Sequence, residues 1–525
     1  MLDSRFENLP FGAGFVDGKP LVGSGTIVAG VVIALLYATN LVYCQRSALQ
    51  LLDAAALSSD MHANLVWAKS IEEQGWLNPR PYHPWADWMQ NIAPYSQWVS
   101  WWGGEKIFQQ SPLYAYLLSL FMHRYFAMRV LQALMSIAMC VFIGLFAARI
   151  AGRTAGWIAF WLAALYAPFY LYSWPFLRDG LSWFLTAAMV WVLTELTQED
   201  WKEPRARHLA WLAGLLLGFG FLSKETYLLL IPAVWMVLCF LSWKLERRWG
   251  IALRVAAGTI LAIFPLLIRN VVVGAPILSS SNRFAESFIL GNSEGASPYL
   301  LIIPERTGEI LRETHGHALP VVRETLKSHP DGLLGLTRLQ IRKLLSLFDP
   351  YESPDNLSFY FVEHVSPVVR FGLRYWMLLP PGLAGLCLGL WRRDRRLLWI
   401  WVTLPVFVLS LLMGIPVSRY RQVLMLFLIP CAAYFLAFLA DLLRQKRLRS
   451  FGYSLLALVG GWIAVLGPLA RQPREQYERV SEYLVCAQIY HQLGDRVREQ
   501  EMLEVVRQRF PEFAPVQRSL GEQLP

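Results

Sequence analysis

Long apolar runs separated by short polar stretches fill most of this chain. They fall near residues 22–43, 127–148, 154–173, 181–197, 209–223, 226–243, 251–272, 368–390, 397–413, 420–440 and 451–470. A bilayer core needs about 20 apolar residues per helical span. The pattern therefore predicts an all-α polytopic membrane protein with about eleven transmembrane helices. A further apolar run, 112–122, is only about half a span long and reads as a re-entrant or juxtamembrane helix.

Charge orients the spans. Lys and Arg cluster at Arg149 and Arg153, at Lys202, Arg205 and Arg207, and at Lys244, Arg247 and Arg248. Two more clusters are Arg392, Arg393, Arg395 and Arg396, and then Arg444, Lys446, Arg447 and Arg449. If 112–122 does not span, all of these fall on one side, as cytoplasmic loops do. The net charge of +10 is then loop charge, and no nucleic-acid partner is expected. Residues 1–21 become a cytoplasmic N-terminus without a signal-peptide pattern, followed by a retained anchor.

The core 22–272 carries an external loop, 45–126. An external segment, 273–367, precedes the last spans within 368–470, and the tail 471–525 is external. The external loops are expected to form a small, mostly helical cap. Residues 317–328 and 333–348 have helical spacing, parted by the turn signal His329-Pro330-Asp331-Gly332. The tail reads as a helical hairpin with a Gly494-Asp495 turn, similar to one tetratricopeptide repeat. It either docks on the protein or recruits a protein partner.

The six Cys show no paired spacing, so neither a disulfide framework nor a zinc site is predicted. The 22 Trp suit membrane interfaces and also stack on sugars. Trp76, Trp85, Trp88, Trp98, Trp101 and Trp102 therefore form either an interfacial belt or a saccharide platform. Composition rich in Arg, Trp and Leu points to a bacterial inner membrane.

Six ionisable residues at span ends arrive together on the outer side: Asp60, Asp179, Lys224, Arg269, Arg419 and Arg421. Charges there are costly unless paired, hydrated or used. Three of them also have a plain structural explanation. Asp60, in Ser58-Ser59-Asp60, sits where a helix over 64–74 needs a cap. Asp179 neighbours Arg178, and Lys224 neighbours Glu225. Arg binds phosphate bidentately, so a phosphate or diphosphate headgroup is the natural ligand of the outer cations.

The order of these features resembles the C-type membrane glycosyltransferases that use polyprenyl-phosphate donors, such as protein O-mannosyltransferases and lipid A aminoarabinose transferases. The matching elements are Asp60 before an amphipathic helix, Ser111-Pro112-Leu113-Tyr114-Ala115-Tyr116, and Leu177-Arg178-Asp179. They continue with Phe221-Leu222-Ser223-Lys224, Pro265 with Arg269-Asn270, Gly291-Asn292-Ser293-Glu294-Gly295-Ala296, and Arg419-Tyr420. The resemblance implies inverting sugar transfer from a polyprenyl-phosphate-linked sugar in the bilayer to a lipid, glycan or protein acceptor, on the extracytoplasmic face of the plasma membrane. It implies Asp60 as general base, with Asp179 assisting and the two carboxylates raising one pKa. Lys224, Arg269, Arg419 and Arg421 would hold the donor phosphate. Arg178, Tyr114, Glu225, Asn292, Tyr420 and His62 would contact substrate, and 112–122 would line the prenyl groove. The family's acidic pair is here Asp60-Met61 and the chain has no Asp-x-Asp, so no metal or other cofactor is assigned. A transporter or flippase for an anionic lipid-linked glycan also needs outer cations, and an assembly subunit would use the tail.

Overall fold

The computed structural model describes residues 24–56, 59–198, 203–244, 249–467 and 477–510. The expected stretch 1–21, Ser58, Lys202, Arg247 and Arg248 lie outside them.

The described residues form helices without strands. Eight of these helices are long and apolar enough to cross a membrane, and Tyr227–Trp243 and Tyr375–Trp391 are shorter apolar helices. One long element, Tyr125–Ala164, holds two expected spans, parted by a kink at Ala151 and Gly152. Gly152 has φ +83°, a conformation glycine adopts without steric cost. The chain folds back there, because a Cβ on Gly144 would sit 3.0 Å from Phe160 and 3.1 Å from the Gly156 carbonyl.

Two expected spans start or end differently. The run 154–173 breaks before Ala167–Tyr172, which has Pro168 in its first turn. The run 368–390 becomes Pro367–Phe371 and then Tyr375–Trp391. Both interruptions have one cause. Leu373 N donates to Leu165 O and Ala167 N to Leu373 O, at 2.7 and 2.8 Å, so each break satisfies the other's backbone groups.

Small residues set close helix contacts. Pro204–Ser223 packs on Trp249–Val273 through Gly214, Gly218 and Gly258. A Cβ on Gly214 would lie 2.2 Å from the Val255 carbonyl oxygen. Such close backbone approach is how membrane helices gain packing energy without a hydrophobic driving force.

One end of the bundle is covered by the loop helices. Leu49–Ala55, Asp60–Gln74, Tyr95–Trp101 and Leu113–Ser119 come from the first loop. Phe284–Asn292, Thr307–Thr314, Ala318–Ser328 and Leu333–Ser346 come from the second. Trp98, Trp101 and Trp102 are buried against Ile289, Ile310, Leu311 and Val321, forming a small separate core. These three tryptophans are therefore neither belt nor platform.

The tail forms the expected hairpin, Ser481–Gln492 and Arg496–Arg509, with Gly494 at φ +74°. It docks on the covered end. Tyr490 Oη accepts from Ala48 N at 3.0 Å, and Arg498 donates to Arg46 O at 3.0 Å. The rest of the expected tail, 471–476 and 511–525, lies outside the described residues.

Gly214→Val should force Pro204–Ser223 and Trp249–Val273 apart and cost about 1–3 kcal/mol. Thermal unfolding of the purified protein in detergent should show a lowered midpoint, with Leu212→Val on the exposed side of the same helix as a neutral control.

Candidate active site

The covered end gathers its charges around one side chain. Arg419 is 3% exposed, and its guanidinium meets three carboxylates. Nη2 donates to Asp60 Oδ2 at 2.7 Å. Nε lies 2.8 Å from Asp355 Oδ2 and 3.6 Å from Asp179 Oδ2. Nη2 also donates to Tyr420 Oη at 2.6 Å.

Each partner is delivered by local structure. Ser59, not Asp60, caps the helix Asp60–Gln74, its hydroxyl accepting from His62 N at 3.2 Å. The Asp60 carboxylate is thereby freed for Arg419, for Arg283 at 3.7 Å, and for the Asn356 amide at 3.1 Å. The turn before Asp179–Gln198 is pinned from both sides. Asp53 Oδ1 accepts from Phe176 N, and Asn64 Nδ2 donates to Phe176 O, each at 2.9 Å. Asp53 is in turn paired with buried Arg129 at 2.9 Å.

The adjacent charges do not pair with each other. Arg178 reaches Glu225 at 2.7 Å, and Asp179 reaches Lys224 at 2.6 Å. Neighbouring residues point in different directions, so the two dipeptides cross-pair. Glu225 also accepts from Ser111 N at 2.9 Å, tying the juxtamembrane segment to the end of Pro204–Ser223.

Two cavities meet here. The first, about 440 Å³, has apolar walls including Phe221, Leu228, Phe407 and Leu411, and its charges are Arg178, Lys224, Arg283 and Glu225. The second, about 690 Å³, holds Asp60, Asp355, Glu286, Trp85 and Trp88, with Arg479 and Glu482 from the tail end. Arg283, Ser287, Ile415 and Tyr420 line both and form the wall between them. The Lys224 ammonium sits 4.7 Å from the centre of the Tyr420 ring, a cation–π distance.

The expected rise in one carboxyl pKa is not at Asp60. Burial would lift it, but Arg419 and Arg283 outweigh burial and hold it well below the usual range. Arg419 stands between Asp60 and Asp179, so they do not repel each other directly. Asp355 and Glu286 are raised instead, lifted by burial despite Arg419 and Arg283 respectively. Among the described residues no three His, Cys, Asp or Glu side chains converge as metal ligands. Asp60 is surrounded by guanidiniums and an amide, a set that does not fit a divalent cation.

Other candidates sit elsewhere. Arg269 donates to the carbonyls of Leu77, Lys106 and Asn78 at 2.9, 2.6 and 2.7 Å. Arg421 donates to Asp349 O and Tyr351 O at 2.7 and 2.5 Å. Both are engaged in holding loops, and neither lines a cavity. Asn292 holds the chain beside the first cavity, donating to Met413 O at 2.8 Å and accepting from Lys343 at 3.1 Å. Tyr114 donates to Gln132 at 2.5 Å in the core, and His62 contacts Ala54 O at 3.1 Å. Leu113–Ser119 does not line the first cavity as expected for a prenyl groove. Its Tyr114 and Tyr116 are anchored to Gln132 and to Trp76 O instead.

Arg283, Asp355 and Asn356 were not anticipated. Pro354-Asp355-Asn356 reads as a plain turn, and Arg283 lies in polar sequence without an apolar border. The one available signal was that Arg283, like Arg419, is a cation on the expected outer side.

Residues 109–269 match the family model described as Dolichyl-phosphate-mannose-protein mannosyltransferase. Over this segment the chain resembles the C-type membrane glycosyltransferases. The match includes Arg178, Asp179, Lys224 and Glu225, and leaves Asp60, Arg283, Asp355 and Arg419 outside it. No curated protein sequence matches the chain. Among solved structures, it is similar to the archaeal oligosaccharyltransferase AglB from Archaeoglobus fulgidus, in complex with an inhibitory peptide and a dolichol-phosphate. That alignment has 14% identity and a TM-score of 0.44, covering 88% of this chain and 58% of that one. An apo Archaeoglobus fulgidus oligosaccharyltransferase aligns at 12% identity and TM-score 0.39, covering 81% and 57%. The chain thus spans less than two thirds of either relative.

Removing one partner of a buried ion cluster leaves uncompensated charge. Arg419→Gln should strand Asp355, leave Asp60 to Arg283 and Asp179 to Lys224 alone, and cost about 3–5 kcal/mol. Unfolding followed by tryptophan fluorescence should show this loss, and Arg419→Lys should restore only part of it, because a point ammonium cannot span three acceptors.

Proposed function

We propose that the protein transfers a sugar from a polyprenyl-phosphate donor to an acceptor, with inversion, on the extracytoplasmic face of a bacterial inner membrane. The carrying observation is the pair of cavities parted by Tyr420 and Arg283. One is apolar and cationic, and the other presents the Asp60 carboxylate.

The donor phosphate lies in the first cavity against Lys224, Arg178 and Arg283, with its prenyl chain along Leu228, Phe407 and Leu411. These cations offset charge building on the leaving phosphate as the glycosidic bond breaks, usually a large catalytic contribution. The acceptor lies in the second cavity. Asp60 takes the proton of its nucleophile as that atom attacks the anomeric carbon from the side opposite the phosphate. Asp179 acts through Lys224 and Arg419, orienting both. Arg419 is a positioning residue, and Arg269, Arg421 and Asn292 hold the covering loops.

A carboxylate held down by two guanidiniums is a weak base. Arg283 resolves this. It lies 3.7 Å from Asp60 and also lines the donor cavity. A phosphate beside it offsets its field, so Asp60 regains basicity once donor is bound.

Purified protein in nanodiscs, given a panel of polyprenyl-phosphate sugars and acceptor extracts, should release free polyprenyl phosphate. Asp60→Asn should lower release by about 10²–10⁴-fold while leaving polyprenyl phosphate binding intact. Wild-type turnover in Asp60→Asn would remove the general-base role.

Arg283→Gln lets the Asp60 carboxyl rise, so less of it is ionised at a given low pH. The acidic limb of the pH–rate profile at saturating donor should therefore move up by about one unit or more. An unmoved limb would separate Arg283 from Asp60.

A further inference from the structure

The proposed reading leaves the acceptor open, and the second cavity constrains it. Its volume of about 690 Å³ is within the range of small-molecule sites, about 300–1,000 Å³. Tyr82, Trp85 and Trp88 line one side of it. Trp85 is 39% exposed, and meets Tyr95 edge-on at 5.6 Å. Trp88 is braced edge-on against buried Trp98 at 5.5 Å. The aromatic stretch therefore divides: Trp98, Trp101 and Trp102 build the small core, and Trp85 and Trp88 face the cavity.

The charges argue about the ligand's sign. The carboxylates of Asp60, Asp87, Glu286, Asp355 and Glu482 line this cavity, against the guanidiniums of Arg283 and Arg479. Both guanidiniums are already paired, Arg283 with Asp60 and Glu286, and Arg479 with Glu482. The donor cavity has the opposite balance, three cations to one carboxylate. An anionic acceptor would meet five carboxylates against two guanidiniums that are both already paired, and no free cation among the lining residues.

One buried group also lacks a partner. Gln109 lines the cavity and is 2% exposed. Its Nε2 donates to Glu286 at 3.2 Å, but its Oε1 has no hydrogen-bond partner. A buried acceptor without a protein donor takes one from a water or from a ligand. Hydroxyl groups supply such donors, and the aromatic side chains offer flat apolar faces for the ring.

We infer that the cleft bounded by the 82–89 segment and the start of the C-terminal hairpin is an acceptor subsite for an uncharged saccharide of several rings. The saccharide stacks on Trp85 and Trp88, donates a hydroxyl to Gln109 Oε1, and presents another to Asp60. Arg479, Ser481 and Glu482 close the cleft from the tail side, so the hairpin belongs to the acceptor site. Glu482 holds this wall to the Asp355 loop by accepting from Ser358 N at 3.0 Å. This inference rests on the proposed glycosyl transfer.

The test is binding to the full chain in nanodiscs, read by saturation-transfer NMR. The probes are maltotriose, cellotriose, chitotriose and mannotriose, with glucosamine 1-phosphate and a neutral Ser/Thr decapeptide as competing classes. At least one trisaccharide should bind better than both competitors. Trp85→Ala should weaken it about three- to tenfold, and Trp85→Phe should recover most of the loss. Gln109→Leu gives a second test, lowering affinity without removing an aromatic ring. Binding by no trisaccharide, tighter binding of the phosphosugar or peptide, or indifference to both substitutions would overturn the inference. Polyprenyl phosphate binding, measured in parallel with Lys224→Ala as control, separates the two claims. If it persists while saccharides fail, the acceptor inference alone falls; if it also fails, the proposed function falls with it.

Discussion

A single buried guanidinium joins three carboxylates delivered by three distant parts of the chain. Asp60 comes from the first loop, Asp179 from a span end and Asp355 from the second loop, and Arg419 meets them all. No pair of these elements is adjacent in sequence. Burying such charges is tolerable only when geometry and hydrogen bonding are good. The surrounding structure supplies both: Ser59 takes over the helix cap, Asp53 and Asn64 fix the turn at Phe176, and Asn356 bridges Asp60 and Asp355.

The same constraint creates the asymmetry of the site. Arg419 lies behind the wall and lines neither cavity, whereas Arg283 and Tyr420 form that wall. Arg178, Lys224 and Arg283 line the apolar side against one carboxylate, and carboxylates collect on the other. Under the proposed function, an anionic lipid headgroup and a hydroxyl acceptor would bind on opposite sides of this wall. A transporter needs a continuous path instead, and a charged partition of this kind does not favour one.

The spans were legible because apolar length is a strong signal, and most expected runs coincide with helices. Residues 165–167 and 372–374 were misread as span interior because their mutual backbone bridge leaves no hydropathy trace. Asp179, Lys224 and Arg419 were legible as charges at span ends, and Asp60 as an acidic residue before an amphipathic helix; the structure brings them together. The cross-pairing of Arg178 with Glu225 and of Asp179 with Lys224 was not, since adjacent opposite charges invite the simpler pairing. Asp355 and Arg283 were hidden in polar sequence, where a charge is unremarkable. Arg269 and Arg421 carried the same sequence signal as Arg419, yet their donors go to loop carbonyls; sequence cannot distinguish a cation holding backbone from one facing a ligand.

The position of the lipid phosphate decides which cavity receives the donor. A cryo-electron microscopy structure of the protein in nanodiscs with polyprenyl phosphate tests this directly. The phosphate is predicted within hydrogen-bond reach of Lys224 and Arg283, on the far side of Tyr420 from Asp60, with the chain along Leu228 and Phe407. Phosphate density in the Asp60 cavity, or at Arg269 or Arg421 away from both cavities, would contradict it.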